Sequence, residues 1–333
     1  MNKRIDWVDT AKGITIFLVV LGHTILPYNW LIYVFSFHMP MFFFLSGYLY
    51  NPEKYQNLWS LIKRKAGTLL WPYLFFFIFN FIYWVLFFNS KQYFDPIIKM
   101  IYSTDTLSAP FIPLWFLTCL FALEIIFFTL ERQFKSFKLF LAIIVCTITG
   151  FILANNHYHL PWGIDIALVS TSFYYLGFII KKNDLIEKTQ NVWLYLLGLI
   201  FIIINYFLAF LLDIQASMFY RAYGQEWLFV LTAIFGILGY IILAKFLKQT
   251  ILKNNTIIEF LGQNSLIILG LHTVFYYYVS DFFRIFLHIY PKTSTIFAFI
   301  YTIITILLIC PFIIFINKKA PFLIGRKPTS KNA

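Results

Sequence analysis

Charge is what this sequence has least of. Only 12% of its 333 residues are Asp, Glu, Lys or Arg, while 61% are hydrophobic and the mean hydropathy is +0.78. A water-soluble globule of this length needs far more polar surface, so the composition excludes one and indicates an integral membrane protein. Acidic residues are scarcer than basic ones, 14 against 26, for a net charge of +12. Basic collars are drawn to anionic lipid head groups, which accounts for the excess without nucleic acid. Cysteine is nearly missing. Cys119, Cys146 and Cys310 fall in apolar runs without disulfide or metal-ligand spacing and are expected to be buried small hydrophobes. His157 and His159 stand two apart in a loop with no third ligand, so no metal site is expected. There is no Gly-rich phosphate loop, no internal repeat and no soluble domain.

What is present is a series of apolar runs. A bilayer crossing takes about 20 residues, and ten runs qualify, at approximately 12–31, 36–51, 67–88, 112–130, 139–155, 164–181, 193–212, 227–246, 256–280 and 295–316. Basic residues favour short cytoplasmic loops. With the N-terminus inside, 21 of the 26 fall on that side: Lys3, Arg4 and Lys12; Lys54, Lys63, Arg64 and Lys65; Arg132, Lys135 and Lys138; Lys181, Lys182 and Lys188; Lys245, Lys248 and Lys253; Lys318, Lys319, Arg326, Lys327 and Lys331. Lys91, Lys99, Arg221, Arg284 and Lys292 fall outside. An odd number of crossings would scramble this asymmetry. The sequence therefore predicts an all-α polytopic membrane protein of about ten transmembrane helices with both termini cytoplasmic. It is expected to be one domain over 1–333, with a membrane core at about 4–316 and a cytoplasmic tail at 317–333. Asp6, Asp9 and Lys12 interrupt what otherwise resembles a signal peptide, so this segment is read as the first helix.

Against this apolar background the polar groups stand out. The stretch DTAKGITIFLVVLGH carries Asp9, Lys12 and His23. On an unbroken helix His23 shares the azimuth of Lys12, roughly 16 Å further along, which sets an imidazole near the middle of the membrane. Such a group marks a protein interior, a pathway or a reaction site. His38 is expected near the outer end of the second span. Ser46 is expected to bond back to its own helix, and Gly47 to admit another backbone. Lys63, Arg64 and Lys65 suit lipid phosphates or those of a soluble ligand. Trp115 opens the fourth span, and Glu124 lies within it as either an interhelical hydrogen-bond partner or part of a reaction pathway. Asn264 and His272 are polar in the ninth span. Arg221 and Glu226 share an aromatic outer segment suited to a sugar or to an ordinary membrane interface. The residues alone leave two classes open: a membrane enzyme, or a transporter or flippase with His and Glu as a proton or substrate path.

Five stretches follow one pattern: RIDWVDTAKGITIFLVVLGH, FHMPMFFFLSGYLY, the basic segment running into LLWPY, PLWFLTCLFALEI and LGQNSLIILGLH. In order and rough spacing the chain resembles the acyltransferase 3 family of integral membrane acyltransferases, over about residues 4–316. Within that family it is similar to the stand-alone branch related to fucose 4-O-acetylases and to enzymes that acylate bacterial surface polysaccharides. The resemblance implies an O-acyltransferase of the bacterial cell (plasma) membrane. It would move an acyl group, usually acetyl from acetyl-CoA, to a hydroxyl of a glycan or lipid-linked glycan.

The resemblance also sets the family's essential histidine on His23. The basic residue eleven positions earlier falls on Lys12, where arginine is common; lysine keeps the charge without the planar fork. Arg64 matches the basic first inner loop, Glu124 the fourth-span motif, and His38 and His272 histidines frequent in this branch. A hydroxyl attacks a thioester slowly unless a base takes its proton, and imidazole suits that task. His23 is thus expected as general base, with a transient acyl-histidine as the alternative. Lys12, Lys63, Arg64 and Lys65 are expected to draw the phosphates of CoA. Asp9, His38, Ser46, Trp115, Glu124, Asn264 and His272 are candidates for the acceptor path or for support. The expected partners are acyl-CoA as co-substrate, a glycan acceptor, membrane lipids and a further copy of the chain. No bound cofactor, metal or nucleic acid is expected.

Overall fold

The computed structural model describes residues 5–87, 94–103, 107–186, 192–212, 216–252, 256–290 and 293–326. Lys3, Arg4, Lys91, Lys188, Lys253, Lys292, Lys327 and Lys331, counted above, lie outside the described residues. Among the described residues there is no β-strand, only an isolated bridge between Ser217 and Ala222. The α-helices are α1 (Asp6–Gly22), α2 (Tyr28–Phe35), α3 (His38–Leu49), α4 (Leu58–Lys65), α5 (Trp71–Phe87), α6 (Phe94–Tyr102), α7 (Trp115–Gln133) and α8 (Ser136–Asn155). They continue as α9 (Ile164–Lys182), α10 (Val192–Leu211), α11 (Glu226–Thr250), α12 (Ile257–Gln263), α13 (Ser265–Ile285) and α14 (Thr295–Lys319).

Nine helical segments among the described residues are long and apolar enough to cross a bilayer: Tyr28–Leu49, Leu58–Phe87, Ile112–Gln133, Ser136–Asn155, Pro161–Lys182, Val192–Leu211, Glu226–Thr250, Ser265–Ile285 and Thr295–Lys319. The protein is an all-α polytopic membrane protein. At 17 residues α1 sits at the short limit of a span. Counted as a crossing, it supplies the even total that the charge asymmetry requires.

Several boundaries differ from those expected, each for a local reason. The first span was placed at 12–31, but α1 begins at Asp6 because Asp6 and Asp9 suit the positive end of the helix dipole. It stops at Gly22, ahead of Pro27, which caps α2. The second span is not 36–51. It runs from Tyr28 to Leu49 with a break at Ser36 and Phe37, where Phe37 has φ −142° and ψ −17°. The basic cluster at 63–65 lies on helix instead of loop, because an Asn57–Ser60 capping box starts α4 at Leu58. Residues Ala66–Leu70 then form a π-helical turn between α4 and α5. The ninth span is broken at Asn264 into α12 and α13. The expected tail from 317 is partly helix: α14 continues to Lys319, and Trp71 Nε1 donates to Phe322 O at 2.9 Å. Cys119 is buried as expected, whereas Cys146 and Cys310 are only partly so.

The helices gather into two compact units, each with its own interior. The first comprises Met1–Tyr50, Ser172–Ser265 and Tyr290–Thr302; the second comprises Asn51–Thr171, Leu266–Ile289 and Ile303–Ala333. In the first, α1 and α12 meet backbone to backbone. A Cβ on Gly13 would fall 1.9 Å from Ile258 O, and one on Gly262 1.8 Å from Asp9 O. The buried Glu259 of α12 pairs with Lys248 of α11. The small surface expected at Gly47 is used by α9, whose Tyr174 O lies 2.0 Å from where a Cβ would be. In the second unit Gly270 of α13 admits the Phe76 ring of α5, a Cβ there falling 2.3 Å from Phe76 Cγ.

The α1–α12 contact yields a first prediction. Gly262→Ala sets a methyl group against a carbonyl that is part of a helix, so the two helices must separate. The expected loss is at least about 1–3 kcal/mol, read as a lower apparent melting temperature in detergent. Gly67→Ala, where a Cβ meets nothing within 4 Å, is the matched control and should melt like wild type. Equal melting of the two variants would contradict the close approach.

Candidate active site

His23 closes α1 as its C-cap, with φ −97° and ψ 7°. This corrects the expected mid-helix position: the imidazole sits at the helix end, half-buried. The last carbonyls of a helix lack intrahelical partners, and one of them, Val19 O, lies 2.8 Å from His23 Nδ1. A carbonyl oxygen only accepts, so Nδ1 carries the hydrogen and donates it. In the neutral ring Nε2 then keeps the lone pair. The cap thereby sets the tautomer that a base acting through Nε2 requires.

His38 opens α3, is 2% exposed, and donates from Nδ1 to Val34 O at 2.8 Å. Both histidines approach Phe35, the last residue of α2. Its ring centroid is 6.0 Å from that of His23 and 4.7 Å from that of His38. Gly22 makes the room, since a Cβ there would come within 2.8 Å of Phe35 Cε2. Residues fifteen apart in sequence are thus both brought against one ring. Asp9 and Lys12 lie partly buried in the N-terminal half of the same α1. Ser46 bonds back to Phe42 O at 2.9 Å, as expected. Asn264 caps α12, donating from Nδ2 to Phe260 O at 2.8 Å.

In the second unit Lys63 and Arg64 are exposed, and the Arg64 guanidinium lies over the Tyr55 ring at 5.9 Å. Lys65 behaves differently. Its Nζ is 2.5 Å from Glu124 Oε1, with side-chain exposures of 21% and 2%. Lys65, expected at the phosphates of a donor, is thus paired here with Glu124, an ion pair that joins α4 to α7. Glu124 Oε2 is buried with no hydrogen-bond partner among the described residues. Trp115 begins α7, buried, edge-on to Phe116 at 6.2 Å. His272 is fully buried in α13, its Nδ1 3.0 Å from Ile268 O and 2.9 Å from Leu269 O.

A match to the acyltransferase domain that defines the acyltransferase 3 family covers residues 5–314, nearly the whole chain. The chain belongs to the acyltransferase 3 family. Neither curated proteins nor solved structures give a significant match. The protein is thus a multi-pass membrane acyltransferase. Sequence reasoning missed two residues that shape this acyltransferase. Phe35 was one aromatic among 42 phenylalanines, and only the α2–α3 break reveals its place beside both histidines. Arg132 was counted for topology alone, yet its Nη2 donates to Tyr55 O at 2.7 Å and its guanidinium stacks on Phe128 at 5.2 Å. It fastens the segment before α4 to the end of α7.

Proposed function

We propose that this acyltransferase moves an acyl group, acetyl from acetyl-CoA, to a hydroxyl of a cell-envelope glycan or its lipid-linked precursor, in the bacterial plasma membrane. The family match supports acyl transfer, and the observation that supports His23 as its base is the Nδ1 bond to Val19 O, which leaves Nε2 as the basic nitrogen on a half-buried ring. The acceptor O–H gives its proton to Nε2 as its oxygen attacks the thioester carbonyl carbon. The tetrahedral intermediate collapses, the C–S bond breaks, and the imidazolium returns the proton to the leaving CoA thiolate. His38, more deeply buried and against the same Phe35 ring, supports the reacting histidine. Lys12, eleven residues earlier on α1, is about 16 Å away along the helix, a span suited to a donor with phosphates at one end and a thioester at the other.

The test is to incubate purified full-length protein with labelled acetyl-CoA and a panel of envelope glycans. Transfer of label to a glycan hydroxyl is expected; label that reaches no hydroxyl acceptor would overturn the reading. Within that assay Lys12→Ala should raise the KM for acetyl-CoA about tenfold, the size of one charge-assisted contact. Lys12→Arg should stay near wild type. Equal losses from the two substitutions would make Lys12 a helix anchor and no donor contact.

A further inference from the structure

Phe35 and His38 lie on opposite sides of the break between α2 and α3, so the angle of that break decides how they meet His23. Ser36, at the break, is fully buried and donates from Oγ to Tyr33 O at 2.7 Å. Its oxygen also accepts from Asn205 Nδ2, 3.2 Å away on α10. The second hydrogen of that amide goes to Thr232 O of α11 at 2.8 Å. Both donors are used, and because Thr232 O only accepts, the amide cannot be turned over without losing that bond. Three helical elements are thus joined through one side chain.

The surroundings are shaped to this bond. A Cβ on Gly236 of α11 would lie 2.6 Å from Phe37 Cβ and 3.0 Å from Asn205 Nδ2. Phe37 stacks on Tyr240 at 4.5 Å, and the Tyr240 and Tyr33 hydroxyls are 2.9 Å apart. Asn205 itself is fully buried, and its Oδ1 has no hydrogen-bond partner among the described residues. A leucine would leave no such acceptor stranded. Ser36 Oγ would keep Tyr33 O, and Thr232 O would keep its place in the helical ladder. Bare stability therefore does not account for asparagine at this place.

We propose that Asn205 is a positioning residue of the acyltransferase, fixing the α2–α3 break through Ser36 and thereby the setting of Phe35 and His38 beside His23. The inference rests on His23 as the reacting histidine. It is tested with full-length Asn205→Leu and Ser36→Ala proteins in detergent or nanodiscs. Each should lose up to about 10²-fold in kcat, the effect of a small misplacement, with the KM for acetyl-CoA unchanged; Asn205→Leu should melt like wild type, whereas Ser36→Ala, which leaves a buried Asn205 N–H unpaired, should melt somewhat lower. The double variant should lose no more than the weaker single one, because both remove one contact. Protein labelled with 15N-histidine adds a readout that needs no turnover: the His38 Nδ1–H signal should shift or broaden in both variants. A wild-type kcat with an unmoved His38 signal would overturn the inference and leave the His23 reading standing. A kcat loss accompanied by a lower melting temperature and a raised KM would also overturn it, as structural damage. If transfer instead survives His23→Ala, the reading beneath it fails, and the His38 signal alone decides whether Asn205 holds the break.

Discussion

His23→Ala is expected to reduce acyl transfer by about 10²–10⁴-fold, the range typical for loss of a positioned general base. The same ring also caps α1 through Val19 O, so a simple truncation mixes lost chemistry with a lost cap. His23→Asn separates them. Its amide can still donate toward Val19 O, but it has no basic nitrogen at neutral pH. Both variants should therefore lose transfer, while His23→Asn melts closer to wild type. Transfer that persists in either one would remove His23 from the reaction. Label retained on the wild-type protein in the absence of acceptor, and missing from both variants, would favour an acyl-histidine over a base.

The second large effect is expected at Lys65 and Glu124. Glu124 is 2% exposed and shares its one described ion pair with Lys65. Lys65→Met leaves that carboxylate buried without a countercharge, and breaking a buried pair from one side costs about 3–5 kcal/mol. Removing both charges together is different. Lys65→Met with Glu124→Leu takes away the desolvation cost along with the attraction, and such replacements are often neutral or stabilising. The single variant should thus show a much lower apparent melting temperature, and the double variant should recover most of it. A double variant that melts as low as the single would mean that Glu124 has duties beyond this pair, for which its second oxygen, without a hydrogen-bond partner among the described residues, is the place to look.

Composition and charge order were enough for the class and for all but the exact number of crossings, because hydropathy and basic residues are properties of segments, whereas the family was legible only in the five motif stretches. The polar candidates were also visible, since a histidine or glutamate in an apolar run is conspicuous. What could not be read was how helices end. Gly22 to Pro27 and Ser36–Phe37 are nearly as apolar as their flanks, so a hydropathy window passes over both breaks. The misplacement of His23 in mid-helix follows from the first, and the absence of Phe35 from the candidates follows from the second. Lys65 was grouped with Lys63 and Arg64 because adjacent residues look alike in a charge count. On a helix they point about 100° apart, and only Lys65 meets Glu124.

The π-helical turn at Ala66–Leu70 bears on the same question of facing. Lys65 and Phe76 are eleven residues apart, and eleven steps of about 100° come within roughly 20° of three full revolutions. In an unbroken α-helix both side chains would address the same neighbour. The π-turn accommodates one residue more than an α-turn, so everything after it is out of phase by about a quarter revolution. Lys65 can therefore engage α7 at Glu124 while Phe76 engages α13 at Gly270. One surplus residue lets a single continuous rod serve two partners, acting as a phase shifter between them.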